Sequence, residues 1–207
     1  MFNKLTLVAL VFFSGSIHAA LISIDYLTPG DNLITLDTST NLEWLDLTVT
    51  QGMSADAVEA SSLITSQGFR YAEFDDLNTL FQSAGITQTS YGDPIAAGEI
   101  EQVRNLIYLT GPTTIKSNGL PMTEGLLNPF VTLDGPLSGD WIFKAELNII
   151  DSTQYLASPS RGEPLFQSSS VSQYGSYLVR PAVVPVPAAV WLFISGLIGL
   201  TAVVRRR

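Results

Sequence analysis

Residues 33–47 read LITLDTSTNLEWLDL, and this stretch decides how the chain begins to fold. The apolar run at 33–36 predicts one strand, and the largely apolar run at 42–47, which contains Trp44, predicts a second. The polar residues between the two runs are typical of a turn. The stretch therefore predicts extended chain on both sides of a polar turn.

The same turn resembles the first half of a calcium-binding loop. Acidic and polar side chains alternate there, at Asp37, Ser39, Asn41 and Glu43. In an EF-hand the sixth loop position is glycine and the twelfth is glutamate, whereas this chain has Leu42 and Thr48. An EF-hand is therefore rejected. A calcium ion held by carboxylates from distant segments stays open.

The remaining patterns predict a mixture of strands and helices. Strands are expected where Ile22, Ile24 and Tyr26 alternate with polar residues, before a turn at residues 29–31, and at residues 69–72, 141–150 and 176–179. Helices are expected at residues 55–66, 75–83 and 95–109, the first of them capped by Ser54. Beyond Gly111 turn residues dominate until residue 141. Helices in the first half with strands at both ends predict an α+β fold.

Two predicted helices carry an apolar stripe that can be checked. In residues 55–66 the apolar stripe consists of Ala57, Ala60, Leu63 and Ile64, and Val58 lies off the stripe. Residues 75–83 place theirs at Leu77, Leu80 and Phe81, with Gly85 as the stop. Both spacings follow the helical period.

Charge is distributed unevenly over the 207 residues. Residues 21–183 hold all 19 acidic residues but only six of the ten basic ones, a formal charge of −13 against −9 for the whole chain. Such an acidic body repels nucleic acid and anionic lipid, which argues against binding to DNA or RNA.

The chain has no cysteine, and its single histidine is His18. The missing cysteines exclude disulfides, thiolate nucleophiles and zinc–thiolate sites. If the first 20 residues are removed, histidine-dependent triads and histidine-ligated metals are excluded as well. We therefore expect no catalytic, cofactor-binding or metal-binding residue.

Residues 1–20 have the organisation of a secretory signal peptide. Lys4 supplies the positive charge, residues 5–13 form a short apolar core, and Ala19 and Ala20 offer the cleavage site. The alternative is an uncleaved N-terminal anchor, although this core is short for a span.

The other end predicts a membrane helix. Residues 188–204 are apolar and uncharged, and a helix of that length rises about 25 Å, enough for a thin bilayer. Trp191 lies near one interface, and Arg205, Arg206 and Arg207 should remain cytoplasmic.

The order of parts in residues 184–207 is specific: a proline motif, a short apolar helix, then a basic chain end. The determining residues are Val184, Pro185, Val186, Pro187, Ala188, Trp191, Arg205, Arg206 and Arg207. This pattern closely resembles the PEP-CTERM family of sorting signals in Gram-negative bacteria, with Val186 in place of the namesake glutamate. The resemblance implies export through the Sec translocon, transient residence in the inner membrane and processing by an exosortase, a membrane protease. The cell surface or exopolysaccharide matrix is the implied destination, and a permanent anchor is the alternative.

The body between the two ends carries a second, more distant resemblance. A polar turn before the strand with Trp44, a Gly68-Phe69-Arg70 segment leading into a helix, and a closing Val179-Arg180 strand are similar to C-type-lectin-like folds of the formylglycine-generating kind. Those enzymes rely on cysteines, so their activity does not follow. The fold implied is a single lectin-like domain at residues 21–183, followed by one transmembrane helix.

Three groups of side chains are candidates for chemistry. Glu73, Asp75 and Asp76 could serve a glycosidase, but acids at a helix start favour the helix dipole anyway. Trp44 and Trp141 are expected in the core rather than as sugar platforms. Arg70 and Arg180 are expected to pair with carboxylates and to hold the strands.

The sequence thus predicts a non-enzymatic exported protein with a structural, adhesive or glycan-associated role, and exopolysaccharide is a candidate partner. Two alternatives stay open. One is a periplasmic binding module anchored permanently in the inner membrane, and the other is a glycan-active enzyme that uses carboxylates alone.

Overall fold

The turn after residue 36 forms because its own side chains satisfy its backbone. In the computed structural model, the Asp37 carboxylate accepts hydrogen bonds from the backbone amide of Ser39 (2.9 Å) and the Ser39 hydroxyl (2.6 Å). Asn41 adopts a φ of 57°, a left-handed conformation that asparagine tolerates. The predicted polar turn is confirmed, and it joins two antiparallel strands.

The structure describes residues 20–128 and 141–182. Within them lie eleven strands, named β1 (Leu21–Ile24), β2 (Ile34–Asp37), β3 (Leu42–Leu45), β4 (Arg70–Tyr71), β5 (Ile95–Ala96), β6 (Thr114–Ile115), β7 (Pro121–Leu126), β8 (Trp141–Ile149), β9 (Gln154–Phe166), β10 (Gly175–Ser176) and β11 (Leu178–Pro181). The same part contains four short helices, α1 (Ala55–Glu59), α2 (Ser62–Thr65), α3 (Phe74–Ser83) and α4 (Ile100–Thr110), and a 3-10 turn at Leu47–Val49. The fold is α+β, as predicted.

The first sheet brings the two ends of the described chain together. Its strand order is β1-β2-β3-β11-β4, and all its pairs are antiparallel. The last strand, β11, therefore lies between β3 and β4, far from its neighbours in sequence. Five of the predicted strand segments contribute to this sheet, although Tyr26 lies beyond the end of β1.

The second sheet has the order β10-β7-β8-β9-β5, with β6 paired to β7. Its pairs are antiparallel except for the two-residue parallel contact of β10 with β7. The expectation of a turn-rich chain after Gly111 was wrong, because β7 lies there, and β9 was also missed. β7 begins with Pro121 and contains Gly125, two residue types that are unusual inside strands.

The helix predicted at 55–66 is two helices. The Ser54 side chain caps α1 as expected, accepting from the amide of Ala57 (3.2 Å), but Ser61 is extended (φ −76°, ψ 165°) and breaks the run. Because of the break, Ala55 and Val58 are buried, while Ala57 and Ala60 are exposed. The predicted apolar stripe was therefore wrong in its first half.

The other two helices are closer to prediction. In α3 the stripe of Leu77, Leu80 and Phe81 is fully buried, and the helix starts one residue earlier than expected. The helix predicted at 95–109 begins only at Ile100, because residues 95–96 form β5 and pair with β9 at Tyr155.

Two glycines of the second sheet, Gly125 and Gly175, lie against neighbours that leave no room for a side chain. A Cβ atom on Gly125 would lie 2.5 Å from Leu47 Cδ2 and 2.6 Å from Tyr177 Cδ2, and one on Gly175 would lie 2.3 Å from the Leu47 carbonyl oxygen. Only glycine fits at these two positions. β7 therefore packs directly on Leu47 and Tyr177, and β10 packs directly on Leu47.

No helix within residues 20–128 and 141–182 is long and apolar enough to cross a membrane. The transmembrane helix predicted at 188–204 lies outside these residues.

Candidate functional site

Most of the predicted sorting residues lie outside the described part of the chain. They are Ala19 of the cleavage site and Val184, Pro185, Val186, Pro187, Ala188, Trp191, Arg205, Arg206 and Arg207 of the tail. Ala20, the other residue of the cleavage site, is described.

Both ends of the described domain are held by one turn. The amide of Ala20 donates to Thr38 Oγ1 (3.0 Å), and the amide of Thr38 donates back to the Ala20 carbonyl (3.1 Å). The amide of Ala182 donates to the carbonyl of Asn41 (2.9 Å). Thr38 and Asn41 are three residues apart in the turn that joins β2 to β3. The chain therefore enters and leaves the domain at the same end of the strands of the first sheet.

The acidic cluster at the start of α3 serves the helix. Asp76 accepts two hydrogen bonds from the Arg70 guanidinium (2.6 and 3.0 Å) and one from the backbone amide of Glu73 (2.8 Å). Burial alone would raise the pKa of Asp76, but the bonds from Arg70 and from the Glu73 amide outweigh it and lower the pKa. Asp76 is thus a fixed, ionised capping residue, and Arg70 pairs with a carboxylate as predicted.

Arg180 ties the last strand to β3. It lies opposite Glu43 in the strand register, and its Nε donates to Glu43 Oε2 (2.7 Å). The guanidinium also donates to the Gln67 carbonyl (3.1 Å) and lies 4.3 Å from the centre of the Phe69 ring. The predicted pairing of Arg180 with a carboxylate is confirmed.

Trp44 belongs to the core, as predicted. Its side chain is 2% exposed and packs with the buried residues of β8, β9 and α3. Trp141 lies in β8, but its side chain is outside the description. Trp44 offers no surface for a sugar.

A surface pair of aromatic rings was not anticipated from the sequence. Phe74 and Tyr91 are 37% and 71% exposed, and their rings are parallel within 4° at a centroid distance of 6.4 Å. Phe74 is the first residue of α3 and lies off its buried stripe, which is the one signal the sequence offered. We call this pair the aromatic surface.

Glu99 fixes the loop that carries Tyr91. Its carboxylate accepts hydrogen bonds from the amides of Thr87 (2.8 Å) and Gln88 (3.1 Å), from the Thr87 hydroxyl, and from the Tyr155 hydroxyl (3.0 Å). Burial alone would raise the pKa of Glu99, but these donors lower it. The loop is therefore anchored to β9 by an ionised carboxylate, and Tyr91 is presented on a fixed frame.

A buried ion pair lies in the second sheet. Lys144 Nζ on β8 contacts Glu124 Oε1 on β7 (2.6 Å) and donates to the Tyr174 hydroxyl (2.9 Å). Burial alone would lower the pKa of Lys144, but these two partners raise it, so the amine is charged. A charged, fully engaged lysine is a poor base or nucleophile.

Metal ligation has little support in this part of the chain. Across residues 20–128 and 141–182, no three acidic or histidine side chains are grouped in a way that could hold a metal ion.

Comparisons of the chain with family models, with curated proteins and with solved structures gave no match. The functional argument therefore rests on the residues and on their geometry.

Proposed function

We propose that this is a non-enzymatic exported protein that a PEP-CTERM-like tail delivers to the cell surface or the exopolysaccharide matrix. The Sec translocon and an exosortase-type protease handle it on the way, and the C-terminal helix holds it in the inner membrane until it is processed. The observation that carries the proposal is the attachment of Ala20 and Ala182 to one turn, at Thr38 and Asn41.

This geometry suits a domain that is held first by a leader and then by a tail. Ala20 leads into β1 and Ala182 follows β11, and these strands are three places apart in the first sheet, or about 14 Å at about 4.8 Å per strand. Both segments leave from the same end of the strands, so they reach the same membrane without crossing the domain. The aromatic surface lies at the start of α3 and is exposed, so it is accessible while the tail is still in the membrane.

The aromatic surface supports the glycan-associated role. Exposed rings on a rigid frame pack well against the C–H faces of sugar rings and lose little conformational freedom on binding. Glu73, Asp75 and Asp93 lie within two residues of these rings in the sequence, and their carboxylates accept hydrogen bonds and repel polyanions. A neutral or cationic polysaccharide is the partner this surface suits.

A C-type-lectin-like topology is part of the proposal. Its support is that β11 returns to the sheet formed by the first strands. In addition, α3 and α4 share one hydrophobic core with residues of both sheets. The position of Trp44 on β3 and of Arg180 on the closing strand agrees with the resemblance noted in the sequence.

The two alternatives have less support. A carboxylate-only glycosidase would use the cluster at Glu73, Asp75 and Asp76, yet Asp76 is engaged by Arg70 and by the helix start. A permanently anchored periplasmic module would keep the same domain geometry and differ only in the fate of the tail.

Substitution of the tail prolines tests the sorting route. Pro185→Ala combined with Pro187→Ala should leave the uncleaved protein in the inner membrane of the native host, as seen by fractionation and immunoblotting. Pro29→Ala, in an exposed turn of the domain, is the matched control and should be exported normally. Normal release of the double variant would contradict the proposal.

Removal of an aromatic ring tests the glycan-associated role. Tyr91→Ala should weaken cosedimentation of the protein with the host exopolysaccharide without changing its thermal unfolding. Tyr108→Ala on α4 is the matched control, because Tyr108 is also exposed but lies outside the aromatic surface. If the two variants lose cosedimentation equally, or if neither loses it, the aromatic surface does not support the glycan-associated role.

A further inference from the structure

A recess lies between β1, the end of α3 and α4. Its volume is about 170 Å³. The apolar side is formed by Leu21, Leu106 and Leu109, and the polar side by Ser83, Gln102 and Asn105. The side-chain amides of Gln102 and Asn105 make no hydrogen bond to any residue in the described part of the chain, so their donors and acceptors are available to a ligand.

A buried carboxylate lies beneath this recess. Asp37 is directly opposite Leu21 in the register of β1 and β2, which places the two side chains on the same face of the sheet. Asp37 is fully buried, and its Oδ2 has no hydrogen-bond partner within the described residues. Burial alone would raise the pKa of Asp37, but the hydroxyls of Ser39 and Ser83 and the amide of Ser39 outweigh it, so the pKa is lowered and the group is ionised.

Two serine hydroxyls connect this carboxylate to the recess. Ser39 Oγ donates to Asp37 Oδ1 (2.6 Å), and Ser39 Oγ and Ser83 Oγ are 2.8 Å apart. A hydroxyl has one proton, and that of Ser39 is used on Asp37. The proton of Ser83 is then directed inward, at the Ser39 oxygen or at the Asp37 carboxylate, which leaves Ser83 with only lone pairs to offer to the recess.

The charge of Asp37 strengthens this polarity. No arginine or lysine in the described part of the chain forms an ion pair with Asp37, so its negative potential is felt at Ser83. The recess therefore selects a ligand that donates a hydrogen bond, and it disfavours a ligand that carries negative charge. Binding sites for drug-sized molecules are usually about 300–1,000 Å³, so this one suits a single ring.

We infer that the recess binds one sugar residue, whose apolar face packs on the leucines and whose hydroxyl or ammonium group donates to Ser83 Oγ. A cationic amino sugar is favoured over a neutral sugar, and an acidic sugar is rejected. The inference deepens the glycan-associated part of the proposed function and is independent of the sorting route.

Saturation-transfer NMR titrations of three monosaccharides test this site. The probes are glucosamine, glucose and glucuronate at neutral pH, and the protein is the full chain in a zwitterionic detergent without a sugar head group. Affinity should fall in the order glucosamine, glucose, glucuronate. Ser83→Ala should weaken the first two roughly threefold to tenfold, the effect of one hydrogen bond. Asn105→Ala, which removes a solvent-facing amide, should also weaken them.

Ser168→Ala is the matched control, because Ser168 is exposed and lies outside the recess. It should bind all three sugars as the native chain does. The inference is wrong if Ser83→Ala binds like the native chain, if glucuronate binds as tightly as glucosamine, or if none of the three sugars gives a signal. Such a failure would leave the tests on Tyr91 and on the tail prolines unaffected, so the two proposals fail separately.

Discussion

The contact between Arg180 and Glu43 should be one of the most important charged contacts for the stability of this domain. Arg180 is on the last strand before the tail, and its guanidinium touches Glu43 on β3, the Gln67 carbonyl and the Phe69 ring. The side chains of Arg180 and Glu43 are only 21% and 10% exposed. Replacing Arg180 with methionine keeps part of the apolar stem but leaves Glu43 without its cation.

The expected loss follows from that burial. Removing one partner of a fully buried ion pair costs about 3–5 kcal/mol, and the partial exposure here places the loss near the lower end. The lost contact with Phe69 adds about 0.5–1 kcal/mol. We therefore expect Arg180→Met to lower the free energy of unfolding by about 3.5–4 kcal/mol. The double variant Glu43→Gln with Arg180→Met, which leaves no unpaired charge, should lose only about 1 kcal/mol.

Urea unfolding of the full chain in a zwitterionic detergent, followed by tryptophan fluorescence, measures these values because Trp44 is in the core. Arg104→Met is the matched control. Arg104 forms a longer contact with Glu101 (3.6 Å), in which the side chains are 37% and 68% exposed, so it should cost no more than about 0.5 kcal/mol. The reasoning is refuted if the two methionine variants lose the same stability, or if the double variant is less stable than Arg180→Met.

Two further predictions concern packing and pH. Gly125→Ala should destabilise the domain by about 1–3 kcal/mol in the same assay, because its Cβ would collide with Leu47 and Tyr177, whereas Gly98→Ala should change little because the nearest atom is 3.9 Å away. The lowered pKa of Asp76 means that its contribution to stability is complete above its unfolded pKa of about 3.9 and is lost as the pH falls through the lower folded value. Asp76→Asn should therefore flatten the acid side of the stability–pH curve, and a curve unchanged below pH 4 would contradict this.

The parts of the fold that depend on local pattern were predictable. The helical spacing of Leu77, Leu80 and Phe81 predicted both α3 and its buried face. Ser54 before an alanine-rich run predicted the start of α1, because a serine side chain caps the first turn. The turn at Asp37 was predictable for the same reason, since its hydrogen bonds are made within a few residues.

The parts that depend on distant contacts were not predictable. Residues 95–96 look like the start of α4, but they pair with β9 about 60 residues later in the chain. Ser61 breaks a helix that the pattern of its neighbours would have continued. With this break, Val58 rather than Ala57 packs in the core. β7 contains Glu124, whose carboxylate is buried in the second sheet. The burial is possible because Lys144 on β8 forms an ion pair with it.

The candidate sites divide in the same way. The sorting residues are a linear motif, so the sequence alone proposes them. The aromatic surface requires Phe74 and Tyr91 to meet across 17 residues, and the recess requires Asp37, Ser39 and Ser83 to meet across two elements. The spacing in the sequence places Phe74 off the buried stripe of α3, but it does not indicate which residues meet in either arrangement.

The sorting route is the central claim, and intact-mass analysis of the protein from its native host tests it most directly. The host should be separated into membrane and extracellular fractions before the masses are measured. The proposal predicts an extracellular species that starts at Ala20 or Leu21 and ends near Pro185. A species that still carries Arg205, Arg206 and Arg207 and is confined to the membrane would contradict it and would make the tail a permanent anchor.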